Sequence, residues 1–320
     1  MNAAQGLIIG FVALLLIGGI FLFSGEATNN TTVRVGYLPI LGDLPVFVAQ
    51  EKGFFEKNSV QVELIRFESS NLAVEALVRG DIDVLGEGSI VPVLIAEQID
   101  PGNIKLISYL DIVSETPFDQ LIVKSDSSIL NLNGLAGKKI GVFPGSTSAA
   151  LLRHFLEQKG VDVSTITFVQ LPPSNQLPTL ESGSIDALLS FEPTTTIALE
   201  SGSYTSIYGS VFASLLNHSP QGAGMMSTAF IQKNPILAQQ TVHAFDDAIE
   251  YMQTNEQDVR ETVIPKYFKL SPQVSQKVQI THSISSDEMD PSIVQAFANL
   301  LTELGELPHA VNVNGLLFLQ

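Results

Sequence analysis

From residue 33 onward the chain repeats one local pattern. A short run rich in Val, Ile and Leu is followed by apolar residues at helical spacing that stop at a glycine. Residues 33–38 read as a strand and 44–52 as a helix closed by Gly53. Residues 60–67 (VQVELIRF) alternate apolar and polar side chains, as a half-exposed strand does. A helix at 71–79 stops at Gly80, and a buried strand at 82–85, a helix at 91–98 and a strand at 104–110 follow. A second series has strands at 120–123 and 139–143, then a helix at 147–159 ended by Gly160. It continues with a strand at 166–171, a helix at 177–182 and a strand at 185–189. Beyond Gly222 one strand, 224–230, precedes helices at 234–252, 272–278 and 292–304. Such alternation predicts an α/β fold with mainly parallel sheets. The chain is expected to enter the second series near 111–118 and return near 210–221, giving two lobes on a two-strand hinge.

The N-terminus carries a different signal. Residues 2–25 contain no charged side chain, and 6–23 (GLIIGFVALLLIGGIFLF) are almost wholly apolar. A run of about 18–20 such residues is long enough to cross the hydrocarbon core as a helix. A cleaved secretion signal usually has a basic start and a shorter apolar core, so an uncleaved anchor is favoured. Gly25 and Ala27 keep a small-x-small cleavage site open as the alternative. Residues 26–32 (EATNNTT) read as a linker with overlapping glycosylation sequons at Asn29 and Asn30, and Asn217-His218-Ser219 is a third. The expected division is an anchor or signal at 1–25, a linker at 26–32, a first lobe at 33–115 and 218–320, and a second at 116–217. The lobes are then expected on the extracytoplasmic side of a single-pass protein, or secreted if the segment is cleaved.

Charge narrows the partners. The 320 residues include 33 acidic and 16 basic ones, a net charge of −17, which repels nucleic-acid phosphates and anionic membrane surfaces. The absence of cysteine removes disulfides, thiolate metal sites, a thiol nucleophile and a cysteine-linked lipid anchor together. The five histidines show no paired metal spacing, and no G-x-S-x-G elbow or Walker loop is present. Neither a catalytic residue, a metal ligand nor a cofactor is expected. Pairs such as Asp81/Asp83 and Asp246/Asp247 read as solvated surface.

Ligands of open parallel sheets bind beyond the C-terminal ends of the strands. Four loops qualify. They are Gly36-Tyr37-Leu38-Pro39, Gly86-Glu87-Gly88-Ser89, Pro144-Gly145-Ser146-Thr147-Ser148 and Phe191-Glu192-Pro193. In the second, glycines permit close backbone approach and Ser89 can cap the next helix. In the third, hydroxyls sit at a helix N-terminus, where unpaired N–H groups hold anions; one of them can equally be a plain N-cap. Glu192 before Pro193 either complements the next helix dipole or accepts hydrogen bonds from a ligand amine, and Glu87 has the same two readings. The candidate ligand residues are therefore Tyr37, Leu38, Glu87, Gly88, Ser89, Gly145, Ser146, Thr147, Ser148 and Glu192.

Several stretches, in order, resemble one family. GYLPILGDLPVFVAQEKGFFEKNSVQVEL (36–64), ALVRGDIDVLGEGS (76–89), GLAGKKIGVFPGSTSAALLRHFLEQKG (134–160), LPPSNQLPTLESGSIDALLSFEP (171–193) and STAFIQKNPILAQQTVHAF (227–245) are similar to nitrate/sulfonate/taurine-type ABC transporter solute-binding proteins. Binders and synthases of thiamine pyrimidine precursors belong to the same superfamily. The resemblance implies a type II periplasmic-binding-protein fold with the ligand between two α/β lobes, and it implicates the same four loops. It further implies a monomeric binding protein that delivers a small polar solute to a permease and its ATPase subunit. The cargo classes are a sulfonate, a nitrate-like anion or an amine-bearing heterocycle such as a thiamine precursor. Phe191 stands where the family often has Trp, and the membrane segment replaces a lipid-bearing cysteine. Alternatives are an enzyme on this fold, synthase-like or desulfinase-like, for which the chain lacks the reactive cysteine, and a ligand-sensing domain.

Overall fold

The computed structural model describes residues 31–318. The expected membrane segment at 6–23 and the sequons at Asn29 and Asn30 lie outside the described residues. Among the described residues, no helix is long and apolar enough to cross a membrane.

The first sheet opens with β1 (Val33–Tyr37), β2 (Val62–Arg66), β3 (Val84–Ser89) and β4 (Ile104–Ile112). Three helices connect them: α1 (Leu44–Glu51), α2 (Ser70–Arg79) and α3 (Ile90–Ile99). In α2 the Ser69 hydroxyl accepts the Leu72 N–H, and Ala73, Val74, Ala76 and Leu77 form the buried stripe. The second sheet uses β5 (Asp119–Lys124), β6 (Lys139–Val142), β7 (Thr167–Gln170), β8 (Ala187–Phe191) and β9 (Tyr204–Gly209). Its helices are α4 (Ser146–Gln158), α5 (Pro173–Glu181) and α6 (Thr194–Glu200). The chain then returns to the first sheet through β10 (Ser219–Ser227), α7 (Pro235–Thr254), α8 (Pro272–Lys277), β11 (Ser283–Ile284) and α9 (Pro291–Glu303).

Strand order is β11-β4-β10-β3-β1-β2 in one sheet and β7-β6-β8-β5-β9 in the other. Only part of each is parallel. β2, β1 and β3 run together, as do β7, β6 and β8. β10 is antiparallel to β3 and β4, and β5 is antiparallel to β8 and β9. This corrects the expectation of mainly parallel sheets. The antiparallel pairings involve β5 and β10, which flank the crossings where the chain changes sheet, and the short β11 against β4.

The crossings are tied together. His218 Nδ1 lies 2.5 Å from Asp111 Oδ2, joining the end of β4 to the start of β10, while Asn217 is exposed. Asp119 accepts the Phe212 N–H at 3.3 Å, so the start of β5 holds the turn after β9. Asp83, expected to be solvated, is bound by the Arg34 guanidinium at 2.7 and 3.0 Å.

Two cores cover the faces of the first sheet. Val35, Val84, Ile107 and Met226 pack against Val46 and Phe47 of α1 and Val242 and Phe245 of α7. Leu85, Leu106 and Met225 pack against Leu77, Leu94 and Phe297 from α2, α3 and α9, in a cluster that continues through Phe212 into Leu121, Val142 and Phe155 of the second sheet. Each such fully buried side chain contributes about 1.5–3 kcal/mol, which holds the strand ends of both sheets in place.

Candidate functional site

Strand β3 runs through the segment expected to be a loop. Val84–Ser89 replaces the expected 82–85 because Gly88 pairs with Ala223, and Ser89 with Gly222, on β10. The weak strand propensity of Gly-Glu-Gly is overridden by its pairing with β10. Glycine is required at two of these positions by close approach. A Cβ on Gly222 would lie 1.8 Å from Glu87 Oε1, and one on Gly86 would lie 2.4 Å from Asp43 Oδ1.

Glu87 and Asp43 are consequently packed into the same pocket of the first sheet. Glu87 is 4 % exposed and its Oε1 has no hydrogen-bond partner. Asp43 is wholly buried; Oδ2 accepts the Leu38 N–H at 2.7 Å, whereas Oδ1 has no partner. Burial, then the neighbouring Asp43 charge, pushes the Glu87 carboxyl well above the carboxylate range. Burial pushes Asp43 up as well, against the opposing N–H groups of Leu38 and Glu87. Two carboxyls buried this deeply beside each other both favour the protonated form.

The remaining first-sheet candidates are held by packing and backbone bonds. The Tyr37 ring packs edge-on against Phe47, centroids 5.3 Å apart. Leu38 is buried. Ser89 occupies the N-cap of α3 without a side-chain cap bond, which corrects the capping expectation; its N–H instead donates to Ser70 Oγ at 3.0 Å.

On the second sheet, α4 begins at Ser146 and its N-cap is Gly145, with φ +110° and no side-chain cap. The plain N-cap role for Ser146, Thr147 or Ser148 is thereby removed. Gly145 donates its N–H to Gln170 Oε1 at 3.1 Å, bracing the loop on the end of β7. Thr147 Oγ1 donates to Glu306 Oε2 at 3.2 Å, a contact spanning 159 residues, and Ser148 is half-buried in the same turn.

Glu192, 5 % exposed at the end of β8, accepts the Thr196 hydroxyl at 2.9 Å and the Thr196 N–H at 3.3 Å. It therefore completes the first turn of α6, which starts at Thr194 with Pro193 at the N-cap. Burial dominates and raises the carboxyl to about 7, although the Thr196 groups, the Gln279 N–H and the Arg260 charge pull it down. Gln279 belongs to the first-sheet side, so Glu192 also touches across the lobes. Beside it, Lys277 and Gln273 of α8 donate to Glu200 of α6 at 2.7 and 3.1 Å.

The loops after β6 and β8 thus reach residues of the first-sheet side through Glu306 and Gln279, bringing Gly145–Ser148 and Glu192 to one seam. Glu87 and Leu38 come together through Asp43. Sequence reasoning missed Asp43, Asp119 and Glu306. Asp43 had a signal, an acid before Leu-Pro at a helix start, yet its carboxyl turns back to Leu38 and makes no cap. Among the described residues, no group of three or more His, Asp or Glu side chains could hold a metal ion.

Known proteins fit this architecture. A Bacillus subtilis protein whose name assigns it to aliphatic-sulfonate binding is 28% identical over 192 residues, 56% of this chain and 56% of that one. The chain thus matches little more than half the length of this curated relative. The Escherichia coli periplasmic aliphatic sulphonate binding protein SsuA superposes with a TM-score of 0.73 at 19% identity, covering 90% of this chain and 92% of that one. The Synechocystis periplasmic nitrate-binding protein NrtA gives a TM-score of 0.70 at 18% identity, covering 88% and 83%. These likenesses establish the two-lobed periplasmic-binding-protein fold. With the family model matching residues 26–264, the chain belongs to the NMT1-like family.

Proposed function

We propose that this chain is the solute-binding component of an ABC importer, working outside the cytoplasm. It takes a small polar solute between lobes formed by 33–115 with 218–320 and by 116–217, and delivers it to a permease served by an ATPase subunit. The observation that carries this reading is the seam itself. Strand-end loops of the second sheet meet the first-sheet side at Thr147–Glu306 and Glu192–Gln279, while among the described residues two crossings join the sheets. A ligand contacting both lobes favours the closed state by its differential affinity, and no chemical step is needed. The names of the relatives, aliphatic-sulfonate and nitrate binders, support the same role. The ligand residues would be drawn from Tyr37, Leu38, Glu87–Ser89, Gly145–Ser148 and Glu192. Tethering through residues 6–23 would keep the protein beside its permease, and its net charge of −17 fits a partner other than nucleic acid.

The test is a thermal-stability screen of the full chain, purified in mild detergent, against sulfonates, taurine, nitrate, bicarbonate, thiamine precursors, riboflavin and amino acids. A ligand at ~100-fold over its dissociation constant adds about 2.7 kcal/mol. One solute that stabilises the chain and is recovered unaltered supports the proposal. Chemical conversion of that solute would replace it with an enzymatic role.

A further inference from the structure

We infer that this cleft turns away free oxyanions and takes a solute that presents N–H donors without net negative charge, with Glu306 filling the position an anionic headgroup would use. The inference rests on the solute-binding reading above and names its cargo class.

A helix N-terminus holds an anion through its free N–H groups and the positive end of its dipole. In the second lobe that place is the start of α4, and the chain supplies its own anion there, since the Thr147 hydroxyl donates to Glu306 Oε2. Glu306 arrives from the turn after α9, on the opposite side of the seam. A nitrate or sulfonate seated at α4 would have to displace that carboxylate or lie against it.

The other polar groups of the cleft point the same way. Glu192 is a buried acceptor at the end of β8. Asp43, at the N-cap of α1, and Glu87, within β3, are at least nine-tenths buried and each leaves one oxygen without a partner. A buried carboxyl oxygen without a partner accepts from an N–H donor, as an amide or amidine edge offers, whereas a sulfonate or nitrate offers acceptors alone. Cations do not offset these acids. Residues 36–39, 86–89, 143–148 and 191–193 contain no Lys or Arg. Arg260, whose charge reaches Glu192, already binds Glu256 at 2.6 and 2.8 Å and the carbonyls of Ser275 and Val278 at 3.0 and 2.6 Å.

The decisive measurement is calorimetric titration of the full chain with methanesulfonate and with nitrate, in the wild type and in Glu306→Gln, with Glu306→Ala as the second variant. Glu306→Gln keeps an acceptor for Thr147 and removes the charge. The expected result is weak or undetectable anion binding by the wild type and at least a tenfold gain in the variants, about 1.4 kcal/mol. Wild-type binding of either anion as tight as that of the variants overturns the inference. Matched solutes give a second arm: benzamidine against benzenesulfonate, and nicotinamide against nicotinate. The donor-bearing member is expected to stabilise the wild type more, and an anionic member that stabilises it equally or more overturns the inference. Tight wild-type binding of methanesulfonate would sink this cargo class and leave the importer role standing. Failure of every solute in the broad screen would instead sink the role itself.

Discussion

At the residue scale, the site is dominated by carboxyl groups placed where water is excluded. An ionised carboxylate removed from water costs several kcal/mol unless it is paired, so these groups are held protonated more readily than in solution. Asp43 and Glu87 lie well above the usual range, and burial takes Asp119 and Glu192 to about 7. All four shifts have the same sign. A carboxyl whose folded pKa is raised contributes stability that is full below its unfolded value near ~4 and is lost as pH rises through its folded value. Thermal melts across pH 4 to 8 should therefore show a melting temperature that falls as pH rises through about 7. Glu87→Gln should flatten that fall, because the amide has no proton to lose. A melting temperature that climbs from acid to neutral pH, or a Glu87→Gln profile parallel to the wild type, would remove the buried pair from the explanation. Glu87 and Glu192 were visible in the sequence as acids in strand-end loops, but their burial was not. Asp43 and Glu306 were not visible as site residues, because what singles them out is contact with Leu38 and Thr147.

At the element scale, most strands and helices were legible because their signals are local. The helix at α2 shows the agreement, with an apolar stripe, a capping Ser69 and a glycine stop in one short stretch. The misses fall where a long-range partner decides. β3 was placed at 82–85 since Gly-Glu-Gly has poor strand propensity, yet β10 pairs with Gly88 and Ser89 on one edge and carries the strand to Ser89. β9 and β11 went unseen, the former polar and partly exposed and the latter only two residues long. The β3–β10 pairing also makes a testable demand on its glycine. Gly222→Ala would force a methyl to within 1.8 Å of Glu87 Oε1, and overpacking of this kind typically costs about 1–3 kcal/mol. Denaturant unfolding of Gly222→Ala should show that loss, and Glu87→Ala should recover part of it in the double variant. Strictly additive losses would mean that the two residues do not meet.

At the scale of the whole molecule, the chain divides into a described body and an apolar N-terminal segment of a different character. The body has its own continuous cores and crossings tied by Asp111–His218 and Asp119–Phe212. Residues 31–320 expressed alone should therefore be soluble and should melt cooperatively, as measured by size-exclusion chromatography and circular dichroism. Aggregation of that fragment would contradict the division into anchor and binding body. The sequence alone determined the α/β class, two series of strands, the places where the chain changes series and the strand-end loops after β1, β6 and β8, since each depends on periodicity, turn residues and order along the chain. The tertiary structure alone decided the antiparallel strands at the crossings, the burial of Asp43 beside Glu87, and the seating of Glu306 on Thr147 across 159 residues. Those outcomes depend on which distant backbones and side chains share a low-dielectric space, and no local pattern encodes that.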